Sequence, residues 1–480
     1  MCGMALKIDG SRSHSLSPYL SMQFMEPLGT SDSSVDAAWD FLHDCWDAEF
    51  VSLIEDLRPP MLRWGGCFAS YYHWYEAVGP RSGRVPMLNY WWNGMYMNQV
   101  GTDELAWLAR KIETELLLVV NMESEGRQEW AYPKPGMNRF GTAEEARDWV
   151  DYCNNPANPI RLKHGFKEPF NVKWWQIGNE TGSKYAKGYN AEQTAEVTER
   201  FVKAMRQADP TIKIIAWGDD GFGPAMMERL GDSVDLYAFH GGYGVPKGGH
   251  DALKGQNWRR DPDETWQDLA LTLKPIEDRI ASIRSVYEPH GKRLAMTEGH
   301  YCLPGRNRND VLSSWAVGVA YARILNIIAR HSDILDIATT ADFCGTRWFV
   351  NAMMLQSRPR EGKHYLMPVG HVMKLFSHHQ GDEALAVDCD LSRVDATASR
   401  RGNRLYLHLA NPSRVDSAVL DLSYLSGQLE DLVAHEIALP STFEVDGYNA
   451  DALEPSKVVL PSPRYVLPAA GVAAIEGTIV

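Results

Sequence analysis

Two glutamates, Glu180 and Glu298, each stand just past an apolar run: Trp174-Trp175-Gln176-Ile177 leads through Gly178-Asn179 to Glu180, and Leu294-Ala295-Met296-Thr297 ends on Glu298. If both runs are strands of one parallel barrel, the two carboxylates meet at its carboxyl-terminal rim, where (β/α)8 enzymes keep their active sites. Two carboxyl groups about 5–5.5 Å apart are what hydrolysis of a glycosidic bond with retention requires. One stays ionised and attacks the anomeric carbon; the other stays protonated, gives its proton to the leaving oxygen and then takes one from water. Glu180 is expected to be the acid/base, with a capping acid at a helix start as the competing reading, and Glu298 the nucleophile. Asn179, beside the acid, suits a sugar hydroxyl whose hydrogen bond strengthens as charge develops on the ring.

Further polar residues follow the other apolar runs: Glu26, Arg63, Asn121, Glu123, Asp219, Asp220, His240 and Asp342. A cation such as Arg63 near Glu298 would lower its pKa and orient it; a structural salt bridge is the alternative. In Ala238-Phe239-His240-Gly241-Gly242-Tyr243, a Tyr243 hydroxyl could donate to the nucleophile, although a buried, satisfied His and Tyr explain the spacing equally well. Gly65-Gly66 reads as a tight loop, because no glycine-rich phosphate pattern follows it. No His/carboxylate spacing commends a metal site, and a carboxylate pair works without metal or cofactor, so none is expected.

The elements that must position these groups follow from periodicity. Strands are predicted at Tyr19–Phe24, Met61–Trp64, Leu116–Asn121, Val172–Ile177, Ile212–Trp217, Val234–Phe239, Arg293–Thr297 and Ile334–Thr339. Helices are predicted between them at Val35–Leu57, Asp103–Glu113, Ala143–Cys153, Ala191–Ala208, Gly223–Leu230, Thr265–Tyr287 and Val311–Arg330. Such alternation argues for an α/β (β/α)8 TIM barrel, with an open doubly wound sheet as the alternative. From about residue 384 the texture becomes short strands and turns, at Val394–Ser399, Arg404–Leu409, Ala418–Leu422 and Val433–Ile437, which predicts a C-terminal antiparallel β-sandwich. The expected division is a barrel over 17–380, a sandwich over 381–480, and residues 1–16 supplying the sandwich with a strand.

The 480 residues exceed the roughly 250 of a typical barrel, which leaves room for that second unit. A net charge of −14 disfavours a nucleic-acid or anionic-membrane partner and suits a neutral substrate. The start of the chain shows no apolar secretory stretch and no segment approaches a membrane span, so a cytoplasmic location is expected. Seven scattered cysteines, an odd number and never in a Cys-x-x-Cys spacing, are expected to be free thiols.

The ordered motifs resemble glycoside hydrolase family 51, dominated by α-L-arabinofuranosidases. Ser17-Pro18-Tyr19-Leu20-Ser21-Met22-Gln23-Phe24-Met25-Glu26 is similar to its opening strand, and Leu62-Arg63-Trp64-Gly65-Gly66-Cys67-Phe68-Ala69 to its second-strand loop. Asn98-Gln99-Val100-Gly101-Thr102-Asp103-Glu104 and Ile177-Gly178-Asn179-Glu180 match two further motifs. The resemblance implies sugar-binding parts for Glu26, Arg63, Cys67, Asn98, Asn179, His240, Tyr243 and Asp342, and the catalytic pair already named. It also implies exo-acting release of terminal α-L-arabinofuranose from oligosaccharides, and a homo-oligomer, usually a hexamer. The chain departs from the family at Pro27, usually His; at Val100, usually Phe; at Gly299-His300, usually Trp-Asn; and in strand eight, where Asp342 is the candidate replacement for a Gln. It also lacks the family's usual Pro between Trp64 and Gly65. These changes keep open the same mechanism on a β-D-galactofuranoside, β-D-xyloside or β-glucan; a non-catalytic carbohydrate-binding protein is the rival of another class.

Overall fold

A computed structural model describes residues 4–124, 139–182, 189–243, 251–271, 273–305, 308–356, 362–422 and 429–480. Eight parallel strands run in chain order: β1 (Gln23–Met25), β2 (Met61–Trp64), β3 (Glu115–Val120), β4 (Trp174–Ile177), β5 (Lys213–Trp217), β6 (Leu236–Tyr243), β7 (Leu294–Tyr301) and β8 (Leu335–Ala338). Each pairs with its sequence neighbour. The sheet closes where Tyr19, just before β1, bridges Ile337 of β8, with Met22 N–H donating to the Ala338 carbonyl at 2.9 Å and Ala338 N–H to the Tyr19 carbonyl at 3.1 Å. Closure leaves the strands no free edge.

Alternation along the strands sorts the side chains. Met22, Met61, Leu117, Trp174, Ile215 with Trp217, Leu236 with Ala238, Ala295 and Ile337 form one separate buried cluster, drawn from all eight strands or their flanks. This is the packed barrel interior. Residues of the opposite phase, such as Leu62, Leu118, Trp175, Phe239 and Met296, pack in the large cluster that includes the surrounding helices.

The expected helix at 35–57 is broken. Residues 34–37 form one helical turn, Trp39-Asp40 and Cys45-Trp46 pair as a short hairpin, and a new helix starts at Ala48. The cause is local: Asp40 accepts from the N–H groups of Leu42 and His43, Asp44 takes a φ of 54°, and Asp47 caps the second helix through Glu49 N–H and Phe50 N–H. The expected helix at 265–287 is likewise divided into Pro262–Trp266, a wide turn at Gln267–Leu271, and Lys274–Tyr287. Pro275 has no N–H to continue a preceding helix and sits in the first turn of the next. The helix expected from Val311 begins at Trp315 after a 3-10 turn at Asp310–Ser313, and a further helix, Pro368–His378, was not predicted.

Beyond it, antiparallel strands build a seven-stranded sheet in the order 7–15, 383–388, 395–401, 404–410, 471–479, 429–438, 456–459. A three-stranded sheet of 4–5, 418–421 and 464–467 faces it. Leu6, Ile8, Leu407, Leu420, Tyr465, Leu467 and Ile475 share one core, as in a sandwich. Buried Asp395 ties this sandwich to the barrel helix 315–330 through Arg323 at 3.0 Å and Arg330 at 2.7 Å. Among the described residues no helix is long and apolar enough to cross a membrane.

One buried carboxylate organises the rim after β8. Asp32, with no exposed surface, accepts from Thr346 N–H and hydroxyl at 2.7 and 2.9 Å, Arg347 N–H at 3.1 Å, Trp348 N–H at 3.2 Å and Asn351 Nδ2 at 3.1 Å. A Cβ on Gly345 would collide with it. Replacing Asp32 by Ala strands these donors and should destabilise the protein by about 3 kcal/mol or more, read in calorimetry as a Tm several degrees lower; an unchanged Tm would show that the loop is held by other means.

Candidate active site

Strand phase explains which side chains enter the barrel mouth. Above Met61 on β2 comes Arg63, above Trp174 on β4 comes Gln176, and above Leu236 and Ala238 on β6 comes His240. On β7 the same phase would carry Ala295 to Thr297 and turn Glu298 outward. A bulge prevents this: Phe239 pairs with Met296, but His240 pairs with Glu298, leaving Thr297 as the extra residue. The bulge re-aims Glu298 to the same face as His240. Glu180 is aimed by a different device, a turn past β4 in which Gly178 has φ 73° and Glu180 itself φ 47°. A non-glycine residue in this left-handed region is strained by about 1–3 kcal/mol, which the surrounding contacts must offset.

The outcome is a compact cluster in which oxygens of Glu180 and Glu298 and a ring nitrogen of His240 all lie within 4.8 Å of one another. His240 Nδ1 is 3.0 Å from Glu180 Oε1 and 3.6 Å from Glu298 Oε2, and its Nε2 lies 3.1 Å from the Thr297 hydroxyl. Arg63 is fully buried and divides its guanidinium three ways: Nε to Gln176 Oε1 at 3.0 Å, Nη1 to Glu298 Oε1 at 3.0 Å, and Nη2 to Asn179 Oδ1 at 2.7 Å. That leaves the Asn179 amide N–H2 buried with no acceptor among the described residues, ready for a ligand oxygen.

The site sorts its acids. Burial alone would raise Glu298, but His240, then Arg63 and His300, outweigh it and hold the carboxyl below its ordinary range. It is therefore ionised at neutral pH. Glu26 goes the other way, held well above the carboxylate range by burial and then by Glu298 and Asp342. Its Oε1 accepts from Trp92 Nε1 at 3.2 Å, its Oε2 is buried with no hydrogen-bond partner among the described residues, and a Cβ on Gly66, whose φ is 120°, would collide with the carboxyl. Burial pushes Asp342 up to about 7, with His300 opposing and Glu298 and Asp32 adding to the rise. Burial works against the cationic form of His300, but Asp342, Cys302 and the Tyr301 carbonyl lift it to about 10. The Cys67 thiol is raised well above its usual value by burial and then by Glu26, Glu180 and Glu298, the three carboxyl groups it faces.

Most of the expected site residues are thus assembled together: Glu26, Arg63, Cys67, Asn179, Glu180, His240, Glu298 and Asp342. Asn98 is engaged differently. It is fully buried at φ 52° and donates its amide to the Val85 carbonyl at 2.6 Å, in a loop whose backbone Arg84 also holds. Tyr243 ends β6, and its side chain lies outside the described residues. The other polar rim residues have scaffold partners: Asn121 with the Arg139 carbonyl, Glu123 with Arg200, Asp219 with Arg279, and Asp220 with Trp217. Sequence reasoning missed Trp92, Gln176 and Thr297. Gln176 carried a signal, being a polar residue at the inward phase of an apolar strand; Trp92 carried none, since only the fold brings its loop to Glu26.

Two domain families match this chain: α-L-arabinofuranosidase 1 domain over residues 53–244 and α-L-arabinofuranosidase C-terminal domain over residues 305–460. An intracellular exo-α-(1→5)-L-arabinofuranosidase of Halalkalibacterium halodurans is 30% identical over 210 residues, 41% of this chain and 39% of that protein. The α-L-arabinofuranosidase C of Emericella nidulans is 34% identical over 179 residues, 36% and 32% of the two chains. The match thus spans only about a third to two fifths of these relatives' length. The solved α-L-arabinofuranosidase of Thermotoga maritima, in complex with arabinose, superimposes with a TM-score of 0.79 at 20% identity, over 99% of this chain and 100% of that one. By these matched domains and this shared barrel-and-sandwich fold, the chain belongs to glycoside hydrolase family 51, the family of the α-L-arabinofuranosidases.

Proposed function

We propose that this protein is a retaining, exo-acting α-L-arabinofuranosidase that removes terminal arabinofuranose from oligosaccharides. The observation that carries the reading is the Glu180–His240–Glu298 cluster, whose carboxylate oxygens lie within 4.8 Å. Such a close approach of one oxygen from each is in keeping with a retaining pair, whose carboxyl groups stand about 5–5.5 Å apart, rather than with an inverting pair about 6.5–9.5 Å apart with a water between. Glu298, ionised and held by Arg63, attacks the anomeric carbon. Glu180 protonates the departing oxygen, and His240, bonded to it, steadies the carboxyl in the strained turn. In the second half-reaction Glu180 takes a proton from water, which displaces Glu298. Asn179 and Glu26, each with a buried polar atom lacking a partner among the described residues, hold the sugar hydroxyls, with Tyr243 at the end of β6 as a further contact.

Under the same proposal residues 17–380 form the catalytic unit and 381–480 the sandwich, completed by 1–16. Several relatives are intracellular exo-α-(1→5)-L-arabinofuranosidases, which supports a cytoplasmic enzyme that works on short oligosaccharides. Assembly as a homo-hexamer is carried over from the family alone.

A second reading has an observation of its own. Gly299-His300 follows Glu298 where the family usually has Trp-Asn, Asp342 is the candidate for its Gln, and Asp342 Oδ1 is buried with no partner among the described residues. An acid that titrates near neutrality beside an imidazolium would favour a different pattern of hydroxyls. The same two-glutamate mechanism would then act on a β-D-galactofuranoside, β-D-xyloside or β-glucan.

Release of p-nitrophenol from a panel of aryl glycosides tests both. Turnover of the α-L-arabinofuranoside above all others supports the first reading, and a preference for another sugar supports the second. Glu298→Gln should lower kcat by about a thousandfold or more; a loss below tenfold would remove the nucleophile from the mechanism. Glu180→Gln should slow substrates with poor leaving groups far more than the p-nitrophenyl glycoside, whose phenolate departs without protonation, and equal losses on both would contradict the acid/base role. Arg63→Gln removes a cation that favours ionised Glu298, so its pKa rises. The acid limb of kcat/KM should move to higher pH by about one unit, and an unmoved limb would show that Arg63 does not set the ionisation.

A further inference from the structure

Where the last barrel helix meets the sandwich, three side chains outside the active site converge. His379 directly follows the helix 368–378, His435 lies on the strand 429–438, and Glu476 on the strand 471–479. One ligand atom from each lies within 4.8 Å of the others, and the two imidazole rings are 4.2 Å apart between centroids at a tilt of 38°.

The hydrogen bonds around the trio leave its metal-ligating atoms facing one another. His379 Nδ1 lies 2.7 Å from the Leu375 carbonyl, which can only accept, so the proton sits on Nδ1 and the Nε2 lone pair is free. A histidine whose other ring N–H is donated to a carbonyl is the usual arrangement at a metal centre. Glu476 is oriented in the same way. Arg404 holds Oε2 at 3.0 Å, and Oε1 faces His435 Nε2 at 3.4 Å. That distance is long for a hydrogen bond to a carboxylate, yet it equals the edge of a tetrahedral site, since ligands about 2.0–2.1 Å from zinc stand roughly 3.4 Å apart. The side chains of His435 and Glu476 remain 18% and 21% exposed, which gives an ion a route in and a water a fourth position.

We propose that His379, His435 and Glu476 form a site for a divalent transition-metal ion of the zinc class, which fastens the last barrel helix to the sandwich. The ligands come from three elements, 56 and 41 residues apart along the chain, so no local motif announces them. The role is structural: binding to the folded state alone raises stability as the ion concentration exceeds its dissociation constant.

The test titrates EDTA-treated, full-length protein with Co2+, followed by its d–d absorption, and with Zn2+ in competition. Zn2+-dependent Tm is read alongside. The active-site cluster of Glu180, His240 and Glu298 also offers oxygens and a nitrogen, so Glu298→Gln is the control. The expected result is one Co2+ per chain with four-coordinate absorption, retained in Glu298→Gln and weakened at least about tenfold in His435→Ala and in Glu476→Gln, which preserves side-chain volume. Zn2+ should raise Tm in wild type and Glu298→Gln only. No uptake by wild type, uptake that survives both sandwich substitutions, or uptake abolished by Glu298→Gln overturns the site. If His435→Ala fails to fold by circular dichroism, Glu476→Gln decides alone.

Discussion

A guanidinium sealed beneath the barrel mouth is expensive to desolvate, and Arg63 is stable there only because each edge of its fork meets an acceptor. That requirement fixes much else. Gln176 must sit at the inward phase of β4, Asn179 must turn its carbonyl oxygen down and its amide up, and Glu298 must stay ionised to balance the charge. Each acceptor comes from a different place, a strand interior, a turn and a bulged strand end, so one side chain holds three barrel segments in register. The bulge on β7 and the left-handed Glu180 are the backbone distortions that make this fork satisfiable, and they lie where strain is expected at a working site.

The charges around the fork are arranged in opposition. His240 and Arg63 draw Glu298 down, while burial keeps Glu26 up and brings Asp342 to near neutrality. Four carboxyl groups can share one small chamber because they do not all ionise at once. The His300–Asp342 pair makes the far wall of the chamber polar and responsive to protons. Trp92, which meets Trp348 edge to face at 5.1 Å, joins the same region to the loop gathered by Asp32.

Much of this was legible in the residues, for a physical reason. Barrel strands are buried on both faces, so each reads as an apolar run, and the polar residue that ends it marks the rim; this is how Glu26, Arg63, Asn179, Glu180, His240 and Glu298 could be found together. The helices with clean caps, such as Ala191–Ala208 behind Asn190, were equally clear. What escaped was decided by contacts between distant segments or by competing local bonds. Asp40 and Asp47 satisfy backbone donors that would otherwise extend one helix through 35–57. The helix at 368–378 carries Pro368 at its start and an almost wholly buried apolar surface, which periodicity alone does not distinguish from a strand. Asn98 donates its amide to a loop carbonyl, a part that its motif alone did not announce, while its Oδ1 is buried with no partner among the described residues.

The strand 7–15 lies in the sandwich sheet, antiparallel to 383–388. Ser13 and Glu383, which share a hydrogen bond across that pair, are 370 residues apart. During synthesis this strand leaves the ribosome ahead of the barrel strands, and its partner emerges only after every one of them has been made. The early segment must wait, unpaired, through the whole assembly of the barrel, with an open edge that can recruit the wrong neighbour. Its sequence suits the wait: Lys7-Ile8-Asp9-Gly10-Ser11-Arg12-Ser13-His14-Ser15 has one strongly apolar residue among nine, and polar or charged groups that keep a solitary strand soluble. The joint between 7–15 and 383–388 thus closes only after the whole barrel between its two halves has been made.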